Sequence, residues 1–279
     1  MKVLIIIPAH NEEENIQLCL DSLKGQTFGE FSCIIVNDGS TDKTLSIAQE
    51  TIQGDAKFRI INLSQSQHQP GAKVVRTFNA GLQEVKLKDF DIVCKFDADI
   101  IFPNNYLESI VKTYQNHPKA GMVSGLVYIQ NKEGRWIFEN LSSKNHVRGP
   151  IKSYRVKCFQ DMNGLRPMLG WDNIDVMLAK MHQWEVVTLK DIWVKHLRPT
   201  AYKYKSQKAE KLGQYFYNIG LNFPLAFISS LKSSLKNKSI TELWITLRSF
   251  LSQKHERALS PKEISYIRKL RWKQMFRKK

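Results

Sequence analysis

The sequence has no apolar run long enough to cross a bilayer: its longest mostly apolar stretch, residues 219–231, is broken by Asn222 and Pro224. The opening run, residues 1–7, is too short for the core of a signal peptide and passes directly into Pro8. Cysteine is sparse. Cys19, Cys33, Cys94 and Cys158 form no CxxC pair and sit among apolar neighbours, which excludes a disulfide framework and suits reduced thiols in a cytosolic protein. No GxGxxG follows the first apolar run, which argues against a dinucleotide oxidoreductase. No glycine occurs in residues 8–14, so a triphosphate cradle of the kind a sugar-phosphate nucleotidyltransferase needs is missing there. Internal repeats and low-complexity segments are absent too. Acid is scarce in the final third: residues 200–279 hold 18 Lys/Arg against 4 Asp/Glu, a net +14 that leaves +2 of the total +16 for residues 1–199.

The chain does have enough apolar residue, 42% of 279, for one sizeable core and an appendage. Residues 3–7 form a β-branched and Leu run that stops at Pro8, the pattern of a buried parallel strand entering a loop. A helix is expected over 12–23, where Ile16, Leu20 and Leu23 recur at helical spacing behind a first turn rich in acid. A second strand over 31–36 ends at Asn37-Asp38-Gly39-Ser40-Thr41-Asp42, where Ser or Thr can cap a helix over 43–53. A strand over 58–63, a helix over 73–87 and a strand over 91–96 follow, the last ending at Asp97-Ala98-Asp99. Alternating strands and helices predict a mostly parallel sheet that binds ligands at its carboxyl edge, where three of these polar clusters fall. Beyond it the pattern reads as a helix over 106–116, a strand pair over 121–130 and 135–138, a helix over 170–183 and an extended stretch from 184. The composition changes near Thr200, so the domains are drawn at 1–199 and 200–279.

Two carboxylates one residue apart at a strand end, Asp97 and Asp99, can converge on a hard divalent cation and diphosphate oxygens, or simply be solvated loop residues. In this order and spacing, Ile7-Pro8-Ala9-His10-Asn11-Glu12-Glu13, Val36-Asn37-Asp38-Gly39-Ser40-Thr41-Asp42 and Asp97-Ala98-Asp99 resemble the family 2 glycosyltransferases. The resemblance implies a GT-A-like α/β fold and transfer of a sugar from a UDP- or GDP-sugar, with inversion, in the presence of Mg2+ or Mn2+. It places Pro8, Ala9, His10 and Glu12 around the nucleoside, Asp38 near the base, Asp97 and Ala98 near the ribose or metal, and Asp99 on the metal itself. Asn37 stands where the family usually has a first aspartate, which removes a charge from the base's grip. Lys73 and Arg76 fall in a stretched version of the family's lysine segment, as phosphate contacts or as a solvated helix face.

Leu169-Gly170-Trp171-Asp172-Asn173-Ile174-Asp175 resembles the family's acidic motif at a helix start beneath the acceptor. Direct displacement at an anomeric carbon requires a base for the attacking hydroxyl; the register from Trp184 favours Asp172, with Asp175 one turn on and able to face the same cleft. Both would alternatively serve the helix dipole. Trp171 is either an acceptor-stacking ring or core, and His196 either a further metal ligand or structural. In the tail, aromatic and aliphatic residues recur among lysines and arginines. They suit helices lying in an anionic membrane interface, where each basic side chain contributes about 1 kcal/mol, or an appendage packed on the main domain. Nucleic-acid binding has the composition but no recognisable module. The expectations are thus a peripheral enzyme on the cytoplasmic face of the cell membrane and a sugar or lipid-linked acceptor in surface polysaccharide, lipopolysaccharide or glycolipid synthesis. A non-catalytic lipid- or nucleic-acid-binding protein is the rival from another class.

Overall fold

The computed structural model describes residues 1–64, 71–141, 143–198 and 207–276. Strand β1 (Val3–Ala9) is buried on both faces, so its apolar run needs no alternation: Val3, Ile5 and Ile7 enter one core and Leu4 and Ile6 the other. It pairs in parallel with β2 (Phe31–Asp38) on one side and β4 (Ile92–Phe96) on the other, and β2 pairs with β3 (Phe58–Leu63). Helices α1 (Ile16–Lys24) and α2 (Thr44–Thr51) cover one face of this half, and α3 (Ala72–Gln83) covers the other. The chain order leaves the carboxyl ends of β1 and β4 side by side while their connections depart in opposite directions, which opens a crevice between them.

The rest of the sheet is mixed. A short β5 (Ile100–Ile101) and helix α4 (Tyr106–Asn116) lead into β6 (Ala120–Gln130) and β7 (Trp136–Phe138). Then come β8 (Ile151–Arg155), α5 (Val156–Asp161), α6 (Trp171–Met181) and β9 (Glu185–His196). The strand order is 3-2-1-4-8-6-9-5, with β8 antiparallel to both β4 and β6 and β9 parallel to β6. The expected α/β class is therefore found, with antiparallel pairing concentrated in the second half. Strand β8 was not legible in the sequence because it carries Lys152, Ser153 and Arg155, yet its first four residues are buried.

Two expected helix starts move. Helix α1 begins at Ile16, not at 12; Glu12 lies in the turn before it, its N–H donating to Thr44 Oγ1 at 2.6 Å and its carbonyl accepting from Asn15 and Ile16. Helix α2 begins at Thr44 after Lys43, whose side chain makes no cap, and the Thr44 N–H is taken by Asp42 Oδ1 at 2.9 Å and not by the serine or threonine before it.

After residue 207 come α7 (Lys208–Asn218), α8 (Phe223–Asn237), α9 (Ile240–Ser252) and α10 (Pro261–Phe276). Phe216, Ile219, Leu221, Leu225, Phe250 and Ile267 belong to the same apolar cluster as Leu4, Ile6 and Phe78 of the sheet and α3. The change of composition near residue 200 therefore does not separate two cores. Arg166 pairs with Glu263 at 2.8 Å, and Asn218 Nδ2 donates to the Leu169 carbonyl at 3.2 Å, tying α10 and α7 to the loop that precedes α6. None of the described helices is long and apolar enough to cross a membrane.

Gly170 is the hinge of that loop. Its φ of 87° lies in the left-handed region, and a β-carbon there would sit 2.2 Å from Tyr215 Cδ2 on α7. Gly170→Ala should therefore cost more than about 2 kcal/mol from backbone strain and overpacking together. Chemical denaturation measures it; unchanged stability would mean that α7 does not press on this turn.

Candidate active site

The crevice between β1 and β4 is a cavity of about 560 Å3, within the range of small-molecule sites. Its two entrance loops are laced to each other. His10 Nδ1 meets the Asp38 carbonyl at 2.8 Å, the Asn11 N–H donates to Ser40 Oγ at 3.1 Å, and Asn11 Oδ1 accepts from the Thr41 N–H at 2.9 Å. These contacts explain why both loops must carry short polar residues: each caps the other's backbone. Pro8, Ala9, His10, Glu12 and Asp38 line the cavity. Asp38 Oδ2 accepts from Thr77 Oγ1 at 2.9 Å and faces Lys73 Nζ at 3.5 Å, so α3 supplies a hydroxyl and a cation to its carboxylate. Lys73 lines the cavity, whereas Arg76 is exposed and does not. Asn37 turns away: its amide donates to Asn62 on β3 at 2.5 Å and its oxygen accepts from Ser40 Oγ, so it braces the loop without reaching the crevice.

Asp97, Ala98 and Asp99 form the cavity floor. The Asp97 N–H donates to the Pro150 carbonyl at 2.9 Å, and its carboxylate is ion-paired with Lys95 of β4. Asp99 is buried and faces His196 Nε2 at 3.5 Å, while His196 Nδ1 meets Glu139 at 3.3 Å and Arg148 holds Glu139 at 2.9 Å. Burial disfavours the charged forms here, but the contact between the pair outweighs it. Asp99 is held below the usual carboxylate range, and the His196 imidazole is pushed up to about 9 by Asp99 and Glu139. Arg198 bridges Glu12 and Asp99, approaching the latter at 3.4 Å. Burial, then repulsion from Asp99, raises the Glu12 carboxyl in spite of that arginine.

Asp99 Oδ2 and His196 Nε2 are 3.5 Å apart as an ion pair, so His196 would have to give up its proton, and Arg198 its contact with Asp99, for Asp99 and His196 to share a divalent cation. Glu139 takes the other ring nitrogen, the arrangement that orients metal-binding histidines. Among the described residues no three acidic, histidine or cysteine side chains form a ready-made cage, so a cation held here would take its remaining ligands from phosphate oxygens and water.

The loop leading into α6 reaches the same crevice, while Asp172 lies beyond its lining residues. Leu169 lines it, and Gly149, next to the Pro150 that bonds Asp97, lies against Asp172, whose Oδ2 would be 3.7 Å from a β-carbon there. Asp172 is half-buried, and its carbonyl accepts from Lys152 Nζ at 2.5 Å. Asp175, expected as able to face the cleft, is instead enclosed behind it. Its carboxylate is paired with the fully buried Lys152 at 2.7 Å and accepts from Tyr154 at 2.6 Å, with burial as the main influence raising it. Trp171 is likewise mostly buried, with Lys95 and Lys152 against its ring at 5.2 and 5.3 Å, so its ring is occupied by cations of the wall.

Several site groups were not recognised from sequence. Arg198, Lys208 and Lys211 add cations to the cavity wall, Thr77 and Lys95 hold Asp38 and Asp97, Glu139 holds His196, and Lys152 holds Asp175 behind the wall. Only Arg198 carried a local signal, two residues beyond the strand-end His196.

With this geometry in place, the comparisons define the class of protein. The family model for glycosyl transferase family 2 matches residues 4–165, more than half of the chain, and the chain belongs to that family. It is 32% identical over 111 residues to the putative glycosyltransferase EpsH of Bacillus subtilis, covering 40% of this chain and 30% of that one. It is 38% identical over 99 residues to a teichoic acid poly(glycerol phosphate) polymerase of Staphylococcus epidermidis, covering 35% and 13%. The matched stretch thus spans less than a third of either relative. In fold it is similar to the mannosyltransferase PcManGT of Pyrobaculum calidifontis, solved with GDP-Man and Mn2+ (TM-score 0.63, 16% identity, 100% of this chain and 88% of that one). It is also similar to residues 1–349 of S. aureus TarS, solved with UDP-GlcNAc (TM-score 0.59, 20% identity, 99% and 93%). The protein is a family 2 glycosyltransferase with a GT-A-like fold.

Lys152 tests the electrostatic reading of the wall. Lys152→Met should destabilise by about 3–5 kcal/mol, because it leaves Asp175 buried without its counter-charge, and adding Asp175→Leu should recover much of that loss. Denaturant midpoints of both variants measure it; a single variant as stable as the parent would contradict the buried pair.

Proposed function

We propose that the chain transfers a sugar from a UDP- or GDP-sugar to a saccharide or lipid-linked hydroxyl by a single displacement that inverts the anomeric centre. The observation that carries this reading is the meeting at one crevice of the two nucleoside loops, the Asp97-Ala98-Asp99 turn and, through Leu169, the loop that leads into α6. Pro8, Ala9, His10 and Asp38 would enclose the base and ribose, Asp38 accepting an N–H of the base while Thr77 and Lys73 hold its carboxylate in place. Lys73, Arg198, Lys208 and Lys211 put cations where a diphosphate would lie. Asp99 and His196 would hold Mg2+ or Mn2+, which would neutralise charge on the departing diphosphate. Asp172 would take the proton of the acceptor hydroxyl as its oxygen bonds to the anomeric carbon and the bond from that carbon to the nucleoside diphosphate breaks. Lys152 positions Asp172 by gripping its carbonyl, and Asp175 in turn holds Lys152. Similarity to a teichoic acid polymerase supports a cell-surface polymer as acceptor.

Asp99→Ala should abolish metal-dependent nucleotide binding while the fold persists, since one carboxylate ligand of a hard cation is lost. Calorimetric titration of UDP and GDP with Mn2+ measures it, and parental affinity in the variant would remove Asp99 from the metal.

Asp172 and Asp175 should separate. Asp172→Asn should lower turnover by roughly 10² to 10⁴ with nucleotide affinity and stability nearly intact. Asp175→Asn should instead lose about 3–5 kcal/mol of stability, as Lys152 is left unpaired. Normal turnover in Asp172→Asn would refute its role as base.

A further inference from the structure

Helices α8 and α9 carry apolar side chains on both faces, more than packing on their own protein uses. On α8 the buried positions include Ser230 and Ser234, while Phe223, Phe227, Ile228, Leu231 and Leu235 are exposed. On α9 the buried positions include Thr246 and Ser249, while Ile240, Trp244, Ile245 and Leu251 face outward. The inward hydroxyls are satisfied locally: Ser230 donates to the Ala226 carbonyl at 2.7 Å, and Thr246 and Ser249 reach the carbonyls of Ala209 and Glu210 on or beside α7 at 3.1 and 2.7 Å. Leu225, Leu247 and Phe250 turn inward beside these hydroxyls, and the remaining large apolar side chains lie on the outer surface, with Leu235, Ile240 and Trp244 about 70% exposed.

The same two helices and the turn between them present Lys232, Lys236, Lys238 and Arg248, all exposed, against a single acid, Glu242, which accepts from Asn237 at 2.6 Å. A second copy of this face would bring like charges together, whereas an anionic lipid surface matches the cations and takes the apolar side chains below its headgroups. We propose that the outer face of the α8–α9 hairpin is a docking surface for an anionic bilayer, with the helices lying in the interface. Helix α7 joins that face to the crevice: it lends Lys208 and Lys211 to the cavity, and Gly213 on it packs directly against Thr246, Ser249 and Phe250 of α9. Docking would thus hold the transfer site one helix away from the lipid.

Sedimentation of the full chain with phosphatidylcholine vesicles, with and without phosphatidylglycerol as a minor component, tests this. The parent should bind the anionic vesicles, and Ile228→Ser/Leu235→Ser/Trp244→Ser should bind at least about tenfold more weakly while still hydrolysing donor in solution. Lys232→Gln/Lys236→Gln should lose affinity for the anionic vesicles only. Brominated acyl chains should quench tryptophan emission of the bound parent, and Trp244→Phe should remove most of that quenching. No binding by the parent, equal binding by the triple serine variant, or indifference to phosphatidylglycerol would each overturn the proposal. So would a parental dimer that the triple serine variant breaks, since a second copy would then be what covers the face.

Discussion

At the carboxyl ends of β1 and β4, Glu12, Asp97, Asp99 and the neighbouring Glu139 crowd four carboxylates into a half-buried corner, a concentration of like charge that would drive some of them to protonate. Cations answer this charge, one from the adjoining strand and the others from farther along the chain. Lys95 meets Asp97, Arg198 bridges Glu12 and Asp99, His196 stands between Asp99 and Glu139, and Arg148 closes the far side. The folds of β8 and β9 follow from this demand as much as from their apolar content: β9 must end where His196 reaches Asp99, and β8 must run beside β4 so that Pro150 can accept the Asp97 N–H. A corner held in this way suits a further cation and phosphate, because Asp99 is held charged and the compensating groups are side chains able to exchange partners.

How much of this was legible in the sequence depended on how local the cause was. The loops after β1 and β2 and the turn after β4 announced themselves, since each is a short polar cluster placed immediately after a buried apolar strand. The helices over α4 and α6 did so too, by their spacing. What escaped was long-range. Strand β8 is polar in sequence because two of its residues, Lys152 and Arg155, are answered by groups elsewhere, Lys152 by Asp175 and Arg155 by the carbonyls of Tyr114 and Ala120. Asp175 lies a single helical turn from Asp172, and no local rule separates a carboxylate at a crevice from one enclosed with a lysine; the neighbouring strand decides it. Asn37 shows the same limit in reverse, a position resembling a nucleotide contact that the fold spends on bracing Asn62.

The C-terminal third was legible as basic and aromatic but not as an arrangement. Composition left two readings, helices packed on the main domain and helices facing an outside surface, and the structure divides them by face. Phe216, Leu225, Phe250 and Ile267 join the core beneath α6, whereas Phe227, Ile228 and Leu235 of α8 and Ile240 and Trp244 of α9 are exposed. A hydropathy pattern gives the period of such a helix but not the sign of its orientation when small hydroxyl residues can replace apolar ones on the inner face.

The central claim is that the Asp97–Asp99 turn, completed by His196, is the cation and diphosphate end of a nucleotide-sugar site. Anomalous scattering from a crystal grown with Mn2+ and UDP or GDP measures it most directly. The account predicts a manganese peak at the Asp99 carboxylate, with the nucleotide's base beside Asp38. Nucleotide bound in the crevice with no manganese at Asp99, or manganese bound only elsewhere on the protein, would contradict it.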